Sequence, residues 1–187
     1  MKILGFIFGE RPSVCYHIDY LAIKFNNSIW SLVHLKRANI NNNMLLNVYL
    51  VMLRPLLEYC HVIYHSMLSK EMSDRLESLQ RKALRIIYGF GIPYEELLAI
   101  ANVSTLQERR NEASIQFANK LVQSERFKRY FPINNCDGVE TRRRRKYLEE
   151  NCRTSRLYNS PLFFLRRLLN QSYDDEEDEN VLDIFTT

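Results

Sequence analysis

The stretch MLRPLLEYCHVIYHSMLSKEMSDRLESLQRKALRIIYG, residues 52–89, decides the fold class. Its second half sets Met72, Leu76, Leu79, Ala83, Ile86 and Ile87 on one stripe at helical spacing, so one face of that helix is buried. Arg75, Arg81, Lys82 and Arg85 fall mainly off the stripe, which predicts a basic face turned to solvent. Ser69 is suited to cap the start of this helix and Gly89 to terminate it. The first half reads as another helix, kinked at Pro55 because proline lacks a backbone donor and crowds the preceding turn. Two helices across a short loop imply helix-on-helix packing.

Upstream, Ile18, Leu21, Ala22, Phe25, Ile29, Leu32 and Leu35 recur at steps of three and four, a helix over about residues 15–38. The asparagine-rich run 39–43 ends it and caps its successor. Residues 2–8 are short, apolar and bounded by Gly9-Glu10-Arg11-Pro12, a strand followed by a turn. A lone strand leaves its edges unpaired, so it reads as the margin of a larger sheet.

Downstream, Pro93 opens a short helix over 94–101. Ser104-Thr105-Leu106-Gln107 has the S-x-x-Q form of a capping box, opening a helix to about residue 127 with Leu106, Ala113, Phe117 and Leu121 inward. The period is lost after Pro132. Pro161 starts a last short helix to 169, and the acidic stretch from 171 is expected to be disordered. The expected fold is mainly α: a short N-terminal strand or hairpin over 1–14, a helical bundle over 15–130, an irregular basic region over 131–170 and an acidic tail over 171–187.

The 187 residues are 46% hydrophobic and 12% aromatic, a composition that folds. Five glycines and five prolines are too few for an all-β sandwich with many tight turns. A net charge of +4 hides a division, since the chain is rich in arginine and lysine between residues 126 and 167 and acidic from Asp174 to Glu179. That division suits a polyanion-binding surface followed by a solvated tail. The longest apolar run, 44–57, is broken by Asn47, Arg54 and Pro55, so no membrane association is expected. The apolar run at residues 3–8 is too short for a signal sequence and lacks a cleavage site. Cys15, Cys60, Cys136 and Cys152 form no C-x-x-C pair. Reduced thiols inside the cell, in nucleus or cytoplasm, are the expectation.

Few residue patterns carry chemistry. Tyr173-Asp174-Asp175 imitates the metal-binding hairpin of a polymerase, but polar and acidic residues flank it where strands are required. His61 and His65 share helical spacing without the glutamate or third ligand of a metal site, and Cys136 with Cys152 supplies only two ligands. Glycine-rich phosphate loops and a nucleophile elbow are absent. No catalytic residue, metal ligand or cofactor follows. The strongest signal is the block Arg142-Arg143-Arg144-Arg145-Lys146 beside Tyr147, with Arg153 and Arg156 after it. Guanidinium groups pair with phosphates and aromatics stack on unpaired bases, so the block points to nucleic acid; a localisation signal or a solvated loop is the alternative.

The order of residues carries a resemblance. Pro55-Leu56-Leu57-Glu58-Tyr59, then Tyr64, then Leu76 through Gly89 resembles the segment after the catalytic palm in reverse transcriptases of non-LTR retrotransposons, jockey-like elements in particular. Lys2-Ile3-Leu4-Gly5-Phe6-Ile7 resembles the strand opening the primer grip, and His17-Ile18 the start of the next helix. Thr105-Leu106-Gln107-Glu108-Arg109-Arg110 resembles a downstream Thr-Leu-x-x-Arg-Arg helix start. Residues 145–154 with Asn159-Ser160 look like the carboxyl-terminal Arg-Thr…Ser signature. The likeness spans about residues 2–170, with Tyr64 standing where many relatives have tryptophan. The fingers, the palm motifs with their catalytic aspartates and any endonuclease are missing from this sequence.

The resemblance implies a thumb and post-thumb fragment that is catalytically inert alone. Its partner would be RNA or an RNA–DNA hybrid, held without sequence preference. Mg²⁺ would be needed only by the complete polymerase, whose palm another chain would supply in trans. A helical protein-interaction module is the alternative from another class, and a pseudogene product without selected function is the third.

Overall fold

The computed structural model describes residues 2–7, 14–134 and 145–185, with side chains as far as Tyr173. Two compact units are present, Met1–Arg110 and Asn111–Thr187. The expected class holds: a short N-terminal hairpin precedes a mainly helical bundle.

β1 (Lys2–Ile3) and β2 (Phe6–Ile7) pair antiparallel, Lys2 opposite Ile7 and Ile3 opposite Phe6. Of the strand or hairpin expected at the N-terminus, the structure has the hairpin, over residues 2–7. Leu4 and Gly5 both have positive φ, +48° and +85°, the geometry of the two-residue loop whose twist matches paired strands. The Tyr59 hydroxyl donates to the Leu4 carbonyl, and a Cβ on Gly5 would meet the Tyr59 ring at 3.0 Å. The loop therefore needs glycine twice over, for its φ and for the approach of the ring.

α1 (Cys15–Arg37) buries the face formed by Ile18, Leu21, Ala22, Phe25, Ile29 and Leu32. Asn41 caps α2 (Asn42–Val48), its side chain accepting from the Asn43 N–H at 2.7 Å. A π turn, Tyr49–Leu53, joins α2 to α3 (Arg54–Glu58). Pro55 explains it. Having no N–H, Pro55 cannot bond back to Val51, and the Arg54 N–H reaches five residues back to the Tyr49 carbonyl instead. α4 (His61–Tyr64) and a 3₁₀ turn (His65–Met67) lead to α5 (Lys70–Tyr88), capped by Ser69 and ended at Gly89 as its sequence requires.

α5 packs chiefly on α1 and carries a strongly one-sided apolar face. Leu76, Leu79, Ala83 and Ile87 are buried, joined by Leu84 and by the polar Gln80. Gln80 accepts from the Tyr49 hydroxyl at 2.5 Å and donates to the Tyr94 hydroxyl at 3.0 Å and the Ser104 carbonyl at 3.1 Å. Burial pushes the Tyr49 and Tyr94 phenols above their ordinary range, so both stay neutral donors.

α6 (Tyr94–Ala101) turns into α7 (Leu106–Gln123). The capping box sits one residue later than S-x-x-Q suggests. Thr105 Oγ1 accepts from the Glu108 N–H at 3.1 Å, and a Glu108 carboxylate oxygen accepts from the Thr105 N–H at 3.0 Å. Two further free donors of this helix end, on Leu106 and Gln107, go to the Glu77 carboxylate at 3.3 and 2.8 Å, and the Tyr94 hydroxyl joins it at 2.7 Å. Of the residues expected to face inward along α7, Leu106 is buried but Phe117 is 41% exposed. The buried row runs through Arg110, Ser114 and Ala118, polar or small residues that a hydrophobic period cannot see.

In the second unit α8 (Glu125–Lys128) and α9 (Ser155–Tyr158) are single turns. α10 (Pro161–Phe185) starts at proline as expected but continues well past residue 169. The stretch expected to be disordered from 171 thus has helical backbone to Phe185, consistent with a segment that lacks glycine and proline after Pro161. Ile133 bridges Tyr147, and the buried Asn170 amide pairs with both backbone groups of Tyr147, at 2.9 and 3.0 Å.

Beneath the hairpin, His17 is fully buried between Phe6 and Tyr64, at ring separations of 4.2 and 5.6 Å. Neither ring nitrogen meets hydrogen-bond geometry, although the Tyr59 backbone lies close enough to favour the proton weakly. Loss of water dominates and lowers its pKa.

Two outcomes are expected. Glu77→Ala strips two helix-end donors and a tyrosine hydroxyl of their acceptor, and should lower unfolding stability by about 2 kcal/mol in urea titrations. For His17 the unfolded chain takes up the proton first, near the ordinary value of 6.5. Its contribution is therefore intact above that pH and lost as pH falls through the lower value it has in the fold. His17→Phe should remove that part of the pH dependence, read as urea midpoints across the acid range.

Candidate nucleic-acid interface

The basic residues selected from sequence have different fates. On α5, Arg75 Nη1 pairs with the Asp19 carboxylate, and Lys82 Nζ donates to Asn26 Oδ1 at 2.8 Å. The step is seven residues on each helix, so α1 and α5 run in the same direction and in register. Arg81 lies over the Tyr94 ring, 4.8 Å from its centroid. Arg85 is half-buried, with Nε shielded from solvent and unpartnered. On this face Arg75 and Lys82 stay exposed while reaching across to α1, and Arg81 and Arg85 are half-buried. Lys36, which carries no signal in the sequence, adds to these contacts by donating to the Ile87 carbonyl at 2.7 Å, where a cation suits the end of α5.

Arg142, Arg143 and Arg144 lie outside the described residues. Arg145 reaches Glu149 at 2.8 Å, and Lys146 sits over the Tyr173 ring at 3.8 Å and more distantly over Tyr147 at 5.9 Å. Burial and the hydrogen bond with Tyr173 push the Tyr147 phenol up to about 12. Arg153 and Arg156 are exposed and make no hydrogen bond or ion pair with the described residues. Of the sequence-selected cations among the described residues, these two are both exposed and unpaired, whereas Arg85 is unpaired but half-buried.

Two further arginines of the basic stretch 126–167 are not among the site residues selected from sequence. Arg167 lies 3.7 Å from the centroid of Tyr158, and its Nη1 donates to the Tyr158 carbonyl at 2.8 Å. Arg166 is buried, donating from Nε to the Tyr130 carbonyl at 2.8 Å with Nη1 3.5 Å from Glu150. Both belong to an apolar helix whose pattern marks only its leucines.

Compared with protein-family models, curated proteins and solved structures, the chain matches none.

Among the described residues no group of three or more histidines, cysteines or acids is placed to hold a metal ion. At Tyr173-Asp174-Asp175 the backbone is helical, whereas the polymerase motif requires a β-hairpin. Nor is any single described helix long and apolar enough to cross a membrane. The bent pair Asn42–Glu58 and His61–Met67 has the composition of a span, but its Leu45, Tyr49, Leu53, Leu57 and Tyr64 are core residues.

Because its partner lies within the fold, Arg75→Ala should reduce stability by less than about 1 kcal/mol, as for other exposed pairs. Its affinity for a polyanion such as heparin, measured by anisotropy competition, should equal that of the parent chain.

Proposed function

We propose that this chain is the thumb and post-thumb part of a non-LTR retrotransposon reverse transcriptase, acting inside the cell by holding nucleic acid rather than by catalysis. The observation that carries the binding role is the pair Arg153 and Arg156, exposed and uncommitted on either side of Thr154, the cap of turn α9. The Arg142–Lys146 block extends the same basic sequence. Two guanidinium groups with no partner among the described residues are available for phosphate. The residue order from Lys2 to Asn170 supports the polymerase ancestry. In this reading the palm, its aspartates and their Mg²⁺ belong to the remainder of the polymerase, supplied in cis or by another chain.

A second reading has its own observation. Tyr16, Ile23 and Trp30, at steps of seven along α1, are 60%, 61% and 59% exposed, an apolar stripe of the kind helical protein partners cover. Association insensitive to salt would favour it.

The test is anisotropy of labelled RNA and RNA–DNA hybrid across a salt series. Affinity should fall steeply with salt and differ little between sequences. Arg153→Ala with Arg156→Ala should flatten the log–log slope by about 0.9 for each duplex phosphate that the variant no longer neutralises. Absence of affinity for either nucleic acid at low salt would overturn the proposal.

A further inference from the structure

Between residues 129 and 173 cations meet aromatic rings with unusual density. Arg129 lies over Tyr130 at 4.8 Å, Lys146 over Tyr173 at 3.8 Å, Arg166 over Phe163 at 5.1 Å and Arg167 over Tyr158 at 3.7 Å. Such contacts ordinarily occur about once in 70–80 residues. Here positive charge is held flat against rings, and most of these rings remain accessible.

Tyr158 stands out among them. Half of it is exposed, although one face is covered by the Arg167 guanidinium. That guanidinium is in turn anchored to the Tyr158 carbonyl, so ring and cation hold each other in one orientation before any ligand arrives. Arg153 and Arg156 precede Tyr158 by five and two residues in the chain, exposed and without a partner among the described residues. Beside it a shallow cleft is lined by Tyr158, Phe163, Arg166, Arg167, Glu149 and Glu150. Arg166 is 5% exposed, and its Nη1 has no hydrogen-bond partner there. Glu149 is committed to Arg145 and Asn170, whereas the Glu150 side chain is more than half exposed.

We infer that Tyr158 is a stacking platform for an unpaired nucleobase, with Arg153 and Arg156 on the flanking phosphates and the Arg166–Glu150 pair facing the base edge. This rests on the nucleic-acid reading above and narrows it to single strands. In a duplex the faces of the bases are covered by their neighbours, and only the backbone would be engaged. The open face of Tyr158 accepts any base, because every base has a π surface. Arg167 on the far face adds positive charge to a stack whose ligand is electron-rich.

The experiment uses the full chain with a short labelled RNA and the same RNA carrying abasic residues, which keeps the phosphates and removes the π faces. The base-bearing strand should bind roughly tenfold more tightly. Tyr158→Leu should abolish that preference without changing the salt slope, and Tyr158→Phe should keep it. Circular dichroism of both variants checks that the fold is retained. Equal affinity for base-bearing and abasic strands, or a preference that survives Tyr158→Leu, overturns this inference and leaves the phosphate-binding proposal standing. Failure of every strand and hybrid to bind at low salt overturns both, and capture of a protein instead of RNA would do the same.

Discussion

One carboxylate constrains the first unit more than any other group. Glu77 lies on α5 and receives the Leu106 and Gln107 amides at the start of α7 together with the Tyr94 hydroxyl from α6. A negative charge suits a helix start because the unpaired N–H groups there carry partial positive charge. Gln80, one turn along α5, continues the network to Tyr49 in the π turn and to Ser104 before α7. Four segments are thereby held in one register around α5. Apolar packing alone would tolerate sliding between helices; a hydrogen-bonded network resists it, since displacement would leave its buried members, Tyr49 and Gln80, unpaired.

That constraint changes the meaning of the basic residues on α5. A helix that seats against α1, α6 and α7 keeps an exposed edge, and its cations Arg75 and Lys82 reach from that edge to α1. Arg81 lies over the Tyr94 ring, whose hydroxyl donates to Glu77. Charge on this helix belongs largely to architecture. In the second unit some cations pair with acids, but Lys146 and Arg167 are laid on rings and Arg153 and Arg156 are exposed, which is the property that suits an anionic, aromatic ligand.

How far the sequence could be read depended on the range of the interaction concerned. Caps were legible at Asn41 and Ser69, because a cap is settled by residues within one turn of it. The box at α7 falls one residue away from its expected place because Ser104 and Thr105 are equally good caps in isolation, and only the reciprocal bond with Glu108 separates them. Phe117 reads as inward when hydrophobicity is the only guide, while the buried row through Arg110 and Ser114 is polar. The Arg167–Tyr158 contact joins two helices separated by a turn, and neither residue's neighbourhood announces it.

The sequence by itself determined the helical class, the hairpin or strand at the start, the ends of α1, α5 and α6 and the apolar face of α5. Each of these is a local consequence of side-chain period, proline, glycine or capping chemistry. Only the tertiary structure decided which cations are spoken for. The reach of an arginine spans several residues on any neighbouring helix, so its partner depends on packing geometry and not on its place in the chain. The fold assigned Arg75 to Asp19 and left Arg153 and Arg156 open, although all three look alike as letters.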